Sequence, residues 1–353
     1  MGQRADYNMP FLLQYENVAW YEEGKVRILD RRIYPTEIKF VECSTHAEVA
    51  QAITDMVTQS AGPYTAAGMG MALAAYESKE LPKDKQIEFL EQAAKTIGYA
   101  RPTTANRMTQ ITMNCLNVGK TAINSDESPI EAIFQTTIDS LNRRYSIMDG
   151  VGRTLLKKIP KKANILTQCF GETIVGTLLR AAKEENYDLH VYCAETRPYL
   201  QGARLTSSCA ADLGFQTTVI TDNMVAYVME NKGIDVFTSA ADTIARDGHI
   251  ANKIGTNQIA ILAQHYGVPY FVTGIPDSDK FSRKDIVIEE RDPKQVLEYR
   301  GIPNTLPSVQ GIYPSFDITA PSRISGIVTD KGVYSPYDLD SYFETEQERF
   351  YWS

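Results

Sequence analysis

The sequence predicts an α/β protein in two parts. Residues 1–158 form a mostly helical domain with a small antiparallel sheet, and residues 159–353 a Rossmann-like domain on a parallel sheet. Three observations predict this. Apolar residues recur at helical spacing from about residue 46 to 158, and five short apolar runs alternate with helical segments after Asn164. The chain's 353 residues, 43% of them apolar, are also more than one small core accommodates.

The first elements are strands. "VAWYEEGKVRILD" has two apolar runs around a Glu-Glu-Gly turn, the pattern of a hairpin. Ser44 or Thr45 then offers a cap for "AEVAQAITDMV", whose apolar positions fall three and four apart. Helical patterns continue, broken at "NSDESP", a polar loop between helices. The domain boundary is set at "KKIPKKAN". Beyond it, "ILTQC", "LHVYCAE", "TTVITD", "DVFTSAAD" and "PYFVTG" read as buried strands. Continuous apolar strands separated by helices imply a parallel sheet covered on both faces, with right-handed crossovers.

The formal net charge of −8 disfavours nucleic acid and anionic membranes as partners. No run approaches the roughly 20 apolar residues of a membrane span, and the first residues lack a signal peptide's apolar stretch, so a cytoplasmic protein is expected. Five scattered cysteines fit neither a disulfide framework nor a zinc site. "GETIVGT" has the glycine spacing of a P-loop but Thr177 where the lysine belongs, and no GxGxxG follows any strand. An NTPase and a nicotinamide or flavin cofactor are therefore not expected.

In an open parallel sheet, ligands bind beyond the carboxyl ends of the strands. Those ends carry Cys169, Glu195, Arg197, Asp222, Asn223, Asp242, Thr273 and Gly274. Cys169 stands just before a helix start, which favours the thiolate; otherwise cysteine is a common small core residue. Asp242 follows two alanines that leave room for a ligand, and partial desolvation would suit it to acid–base work; an N-cap for the next segment is an equal alternative. Lys253 is open to reading as a solvated lysine. Arg101 precedes Pro102, a residue suited to a first helical turn, and so is a candidate phosphate grip, as are Arg197 and Arg204.

Taken together, "CAETRPYLQGARLT", "ITDNM", "SAADTIARDGHIANKIGT" and "YPSFDITAPSRISGIVTDKGV" resemble the methylthioribose-1-phosphate isomerase family, which is related to the regulatory subunits of translation initiation factor 2B. The resemblance runs from about residue 35 to 337. It implies an aldose–ketose isomerase acting on a phosphorylated pentose whose C1 oxygen carries the phosphate, with Cys169 and Asp242 catalytic. It further implies that Gly62, Arg101, Gln201, Asn252 and Lys253 bind substrate. Asp242 would protonate the ring oxygen and Cys169 would manage the proton between C2 and C1, a hydride shift being the alternative. The scheme needs no metal and no cofactor. A homodimer is implied, and the tail "YFETEQERFYWS" is expected to pack on a neighbour or on the chain itself.

The chain departs from this family in two places. An Arg-Gly-Ala-Pro phosphate loop is replaced by "QSAGP", where Gly62 and the next helix are expected to supply backbone donors, and the loop after Cys169 is shortened to "FGETIVGT". These changes leave open 5-deoxyribose 1-phosphate, ribose 1-phosphate or ribose 1,5-bisphosphate as substrate. They also leave open a non-catalytic subunit that senses a sugar phosphate or nucleotide.

Overall fold

A computed structural model describes residues 4–101 and 105–344. Pro102 and residues 345–353 of the aromatic tail lie outside them. The chain divides into two compact units at Ile147/Met148, inside a long helix; the change of sequence texture comes later, where that helix ends.

In the first unit, the single turn α1 (Tyr15–Val18) leads into β1 (Ala19–Glu22), β2 (Lys25–Leu29) and β3 (Phe40–Cys43), an antiparallel sheet in chain order. Glu22 pairs with Lys25, so Glu23 and Gly24 turn the hairpin, at φ 47° and 79°. That left-handed pair matches the twist of the strands. Thr45 caps α2 (His46–Thr54): its hydroxyl accepts the Glu48 amide at 3.2 Å, and the Glu48 carboxylate accepts the Thr45 amide.

The hub is α3 (Gly62–Glu77), buried from Gly62 to Ala75 on every face. It packs against β1, β2, α2, α4 (Lys83–Gly98) and α5 (Ala105–Asn124). Such closeness needs small residues: a Cβ on Gly68 would meet Thr137 at 2.6 Å. Thr137 belongs to α6 (Pro129–Leu156), the helix within which the units divide.

The second unit carries a seven-stranded sheet. Its strands are β4 (Lys162–Gln168), β5 (Asp188–Ala194), β6 (Gln216–Ile220), β7 (Val236–Ala240), β10 (Tyr270–Thr273), β14 (Gly326–Thr329) and β15 (Gly332–Tyr334). The order is β15-β14-β10-β7-β4-β5-β6, parallel except for the β14–β15 hairpin at one edge. Helices α7 (Thr173–Glu184), α8 (Ser207–Asp212), α9 (Val225–Lys232) and α10 (Thr256–Tyr266) connect the strands. From β4 the chain winds outward to β5 and β6, then returns to the other side of β4 as β7. That reversal opens a crevice at the carboxyl end of β4, where open α/β sheets bind ligands.

The sequence anticipates these strands but not the excursion after β7. Between Asp242 and the next helix the chain makes β8 (Thr243–Ile244) and β9 (Ile250–Lys253), which form a second, antiparallel sheet with β13 (Phe316–Thr319). A two-strand ribbon, β11 (Glu298–Tyr299) and β12 (Ile302–Pro303), stands apart. Asp242 therefore precedes a strand and caps no helix, which removes the alternative reading of that residue.

Two glycines test the packing. A Cβ on Gly202 would lie 1.8 Å from the Ala194 carbonyl oxygen, whereas one on helical Gly150 meets nothing within 4 Å. In urea titrations Gly202→Ala is expected to cost about 2–3 kcal/mol. Gly150→Ala is expected to gain about 0.5–1 kcal/mol.

Candidate active site

The backbone at the carboxyl ends of β4 and β5 is held in conformations that most residues avoid. Cys169, Glu172, Thr196 and Leu200 all have φ between 45° and 66°, the left-handed region that favours glycine. Such strain persists only where surrounding contacts over-determine it, and it concentrates at functional sites. The contacts are present here. Thr196 Oγ1 accepts the Cys169 amide at 2.9 Å, the Thr206 hydroxyl donates to the Cys169 carbonyl, and the Asp222 carboxylate takes the amides of Thr196 and Arg197 at 2.8 and 2.7 Å. Asp222, one of the reactive strand-end groups in the sequence, is thus a brace for the turn that carries Thr196.

The end of β4 is tied to β9 by side chains. The Gln168 amide donates to the Ile254 carbonyl at 2.9 Å, and its oxygen accepts from the Thr256 hydroxyl at 2.9 Å. Asn252 Nδ2 donates to the same hydroxyl at 3.0 Å. On the far side of β9, Asp317 pairs in register with Asn252, and its carboxylate accepts the amides of Gly255 and Asn257 at 2.8 and 3.0 Å. Burial pushes the Asp317 carboxyl up to about 6, against the pull of those two N–H bonds. The turn after Lys253 is fixed by these contacts.

Lys253 is not a surface lysine. It is 4% exposed at the end of β9, and its ammonium stands 4.5 Å from the centroid of the Phe316 ring. It lies near enough to Cys169 to favour the thiolate, as does Arg291, while Asp242 opposes it. Burial outweighs all three and pushes the Cys169 thiol up to about 11. The expectation that the following helix would favour a thiolate is therefore corrected: α7 starts four residues on, and desolvation dominates. At neutral pH the group is a thiol. Cys169 is also partly exposed, whereas Cys43, Cys115, Cys193 and Cys209 are buried.

Asp242 leaves the end of β7 with its amide bonded to the Ala251 carbonyl at 2.9 Å, so it stands at the base of the β8–β9 pair that bears Asn252 and Lys253. Gln201 is 6% exposed, immediately before the π-helical turn Gly202–Thr206, and its Oε1 lacks a hydrogen-bond partner. The Thr173 hydroxyl at the start of α7 is likewise buried without a partner. Two unmatched polar atoms at the carboxyl edge of the sheet suit a ligand rich in hydroxyl groups.

Other expected residues fall elsewhere. Arg197 donates to the carbonyls of Val296 and Glu298, and Arg204 to that of Tyr199, so both hold backbone. Gly62 and Arg101 belong to the helical unit. The Gly62 amide donates to the Gln59 carbonyl at 3.0 Å and the Tyr64 amide to that of Ala61, so these two are not open donors as expected. What Gly62 supplies is space: a Cβ there would lie 1.9 Å from Thr58 Oγ1. Sequence reasoning missed Gln168, Thr196, Thr256, Arg291 and Tyr313. Tyr313 is buried, accepts the Arg291 amide at its carbonyl, and has its hydroxyl raised by burial, with Cys169 adding to the shift. Among the described residues no group of three histidine, cysteine or acidic side chains could hold a metal. No helix among them is long and apolar enough to cross a membrane.

Comparison with known proteins gives one consistent result. The model of the Initiation factor 2 subunit family matches residues 59–336. The methylthioribose-1-phosphate isomerase of Desulforamulus reducens is 33% identical over 338 residues, 91% of this chain and 96% of that protein. That of Bacillus pumilus is 35% identical over 331 residues, covering 90% and 92%. In structure, the 5-methylthioribose 1-phosphate isomerase of Pyrococcus horikoshii superposes with a TM-score of 0.82 at 31% identity, covering 98% of this chain and all of its own. The delta subunit of translation initiation factor eIF-2B from A. fulgidus reaches 0.81 at 26% identity, covering 93% and 99%. The chain belongs to the Initiation factor 2 subunit family and, within it, to the methylthioribose-1-phosphate isomerases.

Proposed function

We propose that this protein converts 5-methylthioribose 1-phosphate to 5-methylthioribulose 1-phosphate, an aldose–ketose isomerisation, with Cys169 and Asp242 moving the protons. The observation that carries the reading is the strained, desolvated Cys169 thiol at the end of β4, under the electrostatic influence of Lys253 and Asp242. The named relatives supply the substrate class.

A sugar whose C1 oxygen carries phosphate cannot open to a free aldehyde. Asp242, as the acid, gives its proton to the ring oxygen while the bond from C1 to that oxygen breaks. The resulting carboxylate takes the proton from C2, leaving an enol between C1 and C2. The Cys169 thiol protonates C1, the C2 hydroxyl loses its proton to the thiolate, and the ketose forms with both groups restored. This order starts from the protonated thiol, the form that burial favours at neutral pH. Lys253 and Asn252 orient the sugar hydroxyls and offset negative charge on the enol oxygen, and the unmatched Gln201 carbonyl oxygen accepts from another hydroxyl. Arg101 is assigned to the phosphate; Gly62, whose amide is bonded to the Gln59 carbonyl, is not. A homodimer through the sheet-bearing unit belongs to the same proposal.

Cys169→Ala and Asp242→Asn are each expected to lower kcat at least 100-fold while equilibrium binding of the sugar phosphate changes little. Turnover that survives in either variant contradicts the assignment. Binding without turnover in the unmodified protein would instead support a non-catalytic sensor like the initiation-factor subunits.

The protonation state is separately testable. Alkylation of Cys169 by iodoacetamide should keep rising with pH toward about 11, because only the thiolate reacts. Lys253→Met removes a cation that favours the thiolate, raises the thiol pKa further and slows alkylation at any pH below it. A plateau near the free-cysteine range of about 8–9 contradicts the desolvated thiol.

A further inference from the structure

Two buried arginines converge on the turn that precedes α3. Arg31, just after β2, is fully buried and donates Nη1 to the Gln59 carbonyl at 2.7 Å. Arg144, on α6, donates Nη1 to the Ala61 carbonyl at 3.2 Å. The turn itself, Gln59 to Gly62, carries no cation.

Arg144 is the unusual member. It is 4% exposed, and its Nε and Nη2 have no hydrogen-bond partner. No carboxylate among the described residues pairs with it. It lines a small, half-enclosed cavity together with Tyr64, Thr65, Asn114, Thr137 and Ser140. The Thr65 hydroxyl is also buried without a partner. Burying a guanidinium with unmatched N–H groups and no counter-charge is costly, and an oxyanion in the cavity supplies both the charge and the acceptors. The planar fork of arginine matches such an anion, and the cavity adjoins the first turn of a 16-residue helix, whose N-terminus is positive.

We propose that this cavity binds a phosphate group, with Arg144 as its principal charge and the Thr65 hydroxyl as a second donor, while Arg31 positions the turn from behind. The occupant is either the phosphate of the sugar substrate or that of a separate phosphorylated effector. Because the whole lining lies within the helical unit, the proposal stands independently of the reaction assigned to Cys169.

The test measures thermal stabilisation of the full chain by inorganic phosphate, against sodium chloride at matched ionic strength. Unmodified protein, Arg144→Lys and Thr65→Val are compared. Thr65→Val removes a hydroxyl that has no partner and is expected to fold. Phosphate should raise Tm specifically in the unmodified protein, with apparent affinity reduced about tenfold or more in Arg144→Lys and several-fold in Thr65→Val. Equal phosphate affinity in all three, or stabilisation no greater than by chloride, overturns the proposal. The KM for the sugar phosphate then identifies the occupant. A rise in both variants at unchanged kcat indicates the substrate's own phosphate, and an unchanged KM with lost phosphate affinity indicates an effector. Since the phosphate measurement needs no turnover, failure of the isomerase reading leaves it interpretable.

Discussion

One hydroxyl joins the two strand ends on which the site depends. Thr256 Oγ1 meets Gln168 at the end of β4 and Asn252 in β9, at 2.9 and 3.0 Å. Through it, the loop carrying Cys169 is held against the short sheet carrying Asn252 and Lys253. The parallel sheet makes this possible by reversing its winding direction at β4, which opens the crevice. The antiparallel excursion β8–β9–β13 then folds polar residues back toward it. A βαβ crossover with no such excursion would run from Asp242 into a helix and leave Lys253 in solvent.

Electrostatics in the crevice follow from desolvation. A lysine and an arginine near a thiol ordinarily favour the thiolate, yet burial dominates and Cys169 keeps its proton. The same loss of solvent strengthens any interaction that Lys253 makes with charge developing on a substrate, since field strength rises as the local dielectric falls. Left-handed backbone at Cys169 and Thr196 is the structural cost, offset by bonds from Thr196, Thr206 and Asp222.

The parallel strands were legible in the sequence because strands buried on both faces are continuous apolar runs, and "ILTQC" or "DVFTSAAD" resembles little else. The hairpin turn and the Thr45 cap were legible for similarly local reasons. By contrast, β8 and β9 are two and four residues long and contain no apolar alternation, so "TIARDGHIANK" gives no strand signal. Burial of Lys253 depends on Phe316, 63 residues away by number, and no local pattern reports it. Position at strand ends and family likeness single out Cys169 and Asp242 as candidates, whereas Thr196, Thr256 and Arg291 act through long-range contacts. The thiol's protonation state escapes the sequence for the same reason: helix position is visible there and desolvation is not.

The most direct measurement of the central claim is NMR of the unmodified protein with 5-methylthioribose 1-phosphate, 5-deoxyribose 1-phosphate, ribose 1-phosphate and ribose 1,5-bisphosphate, each followed for ketose formation. The account predicts conversion of 5-methylthioribose 1-phosphate to its ribulose 1-phosphate, in preference to the other three. Tight binding of these sugars with no ketose from any of them would contradict it.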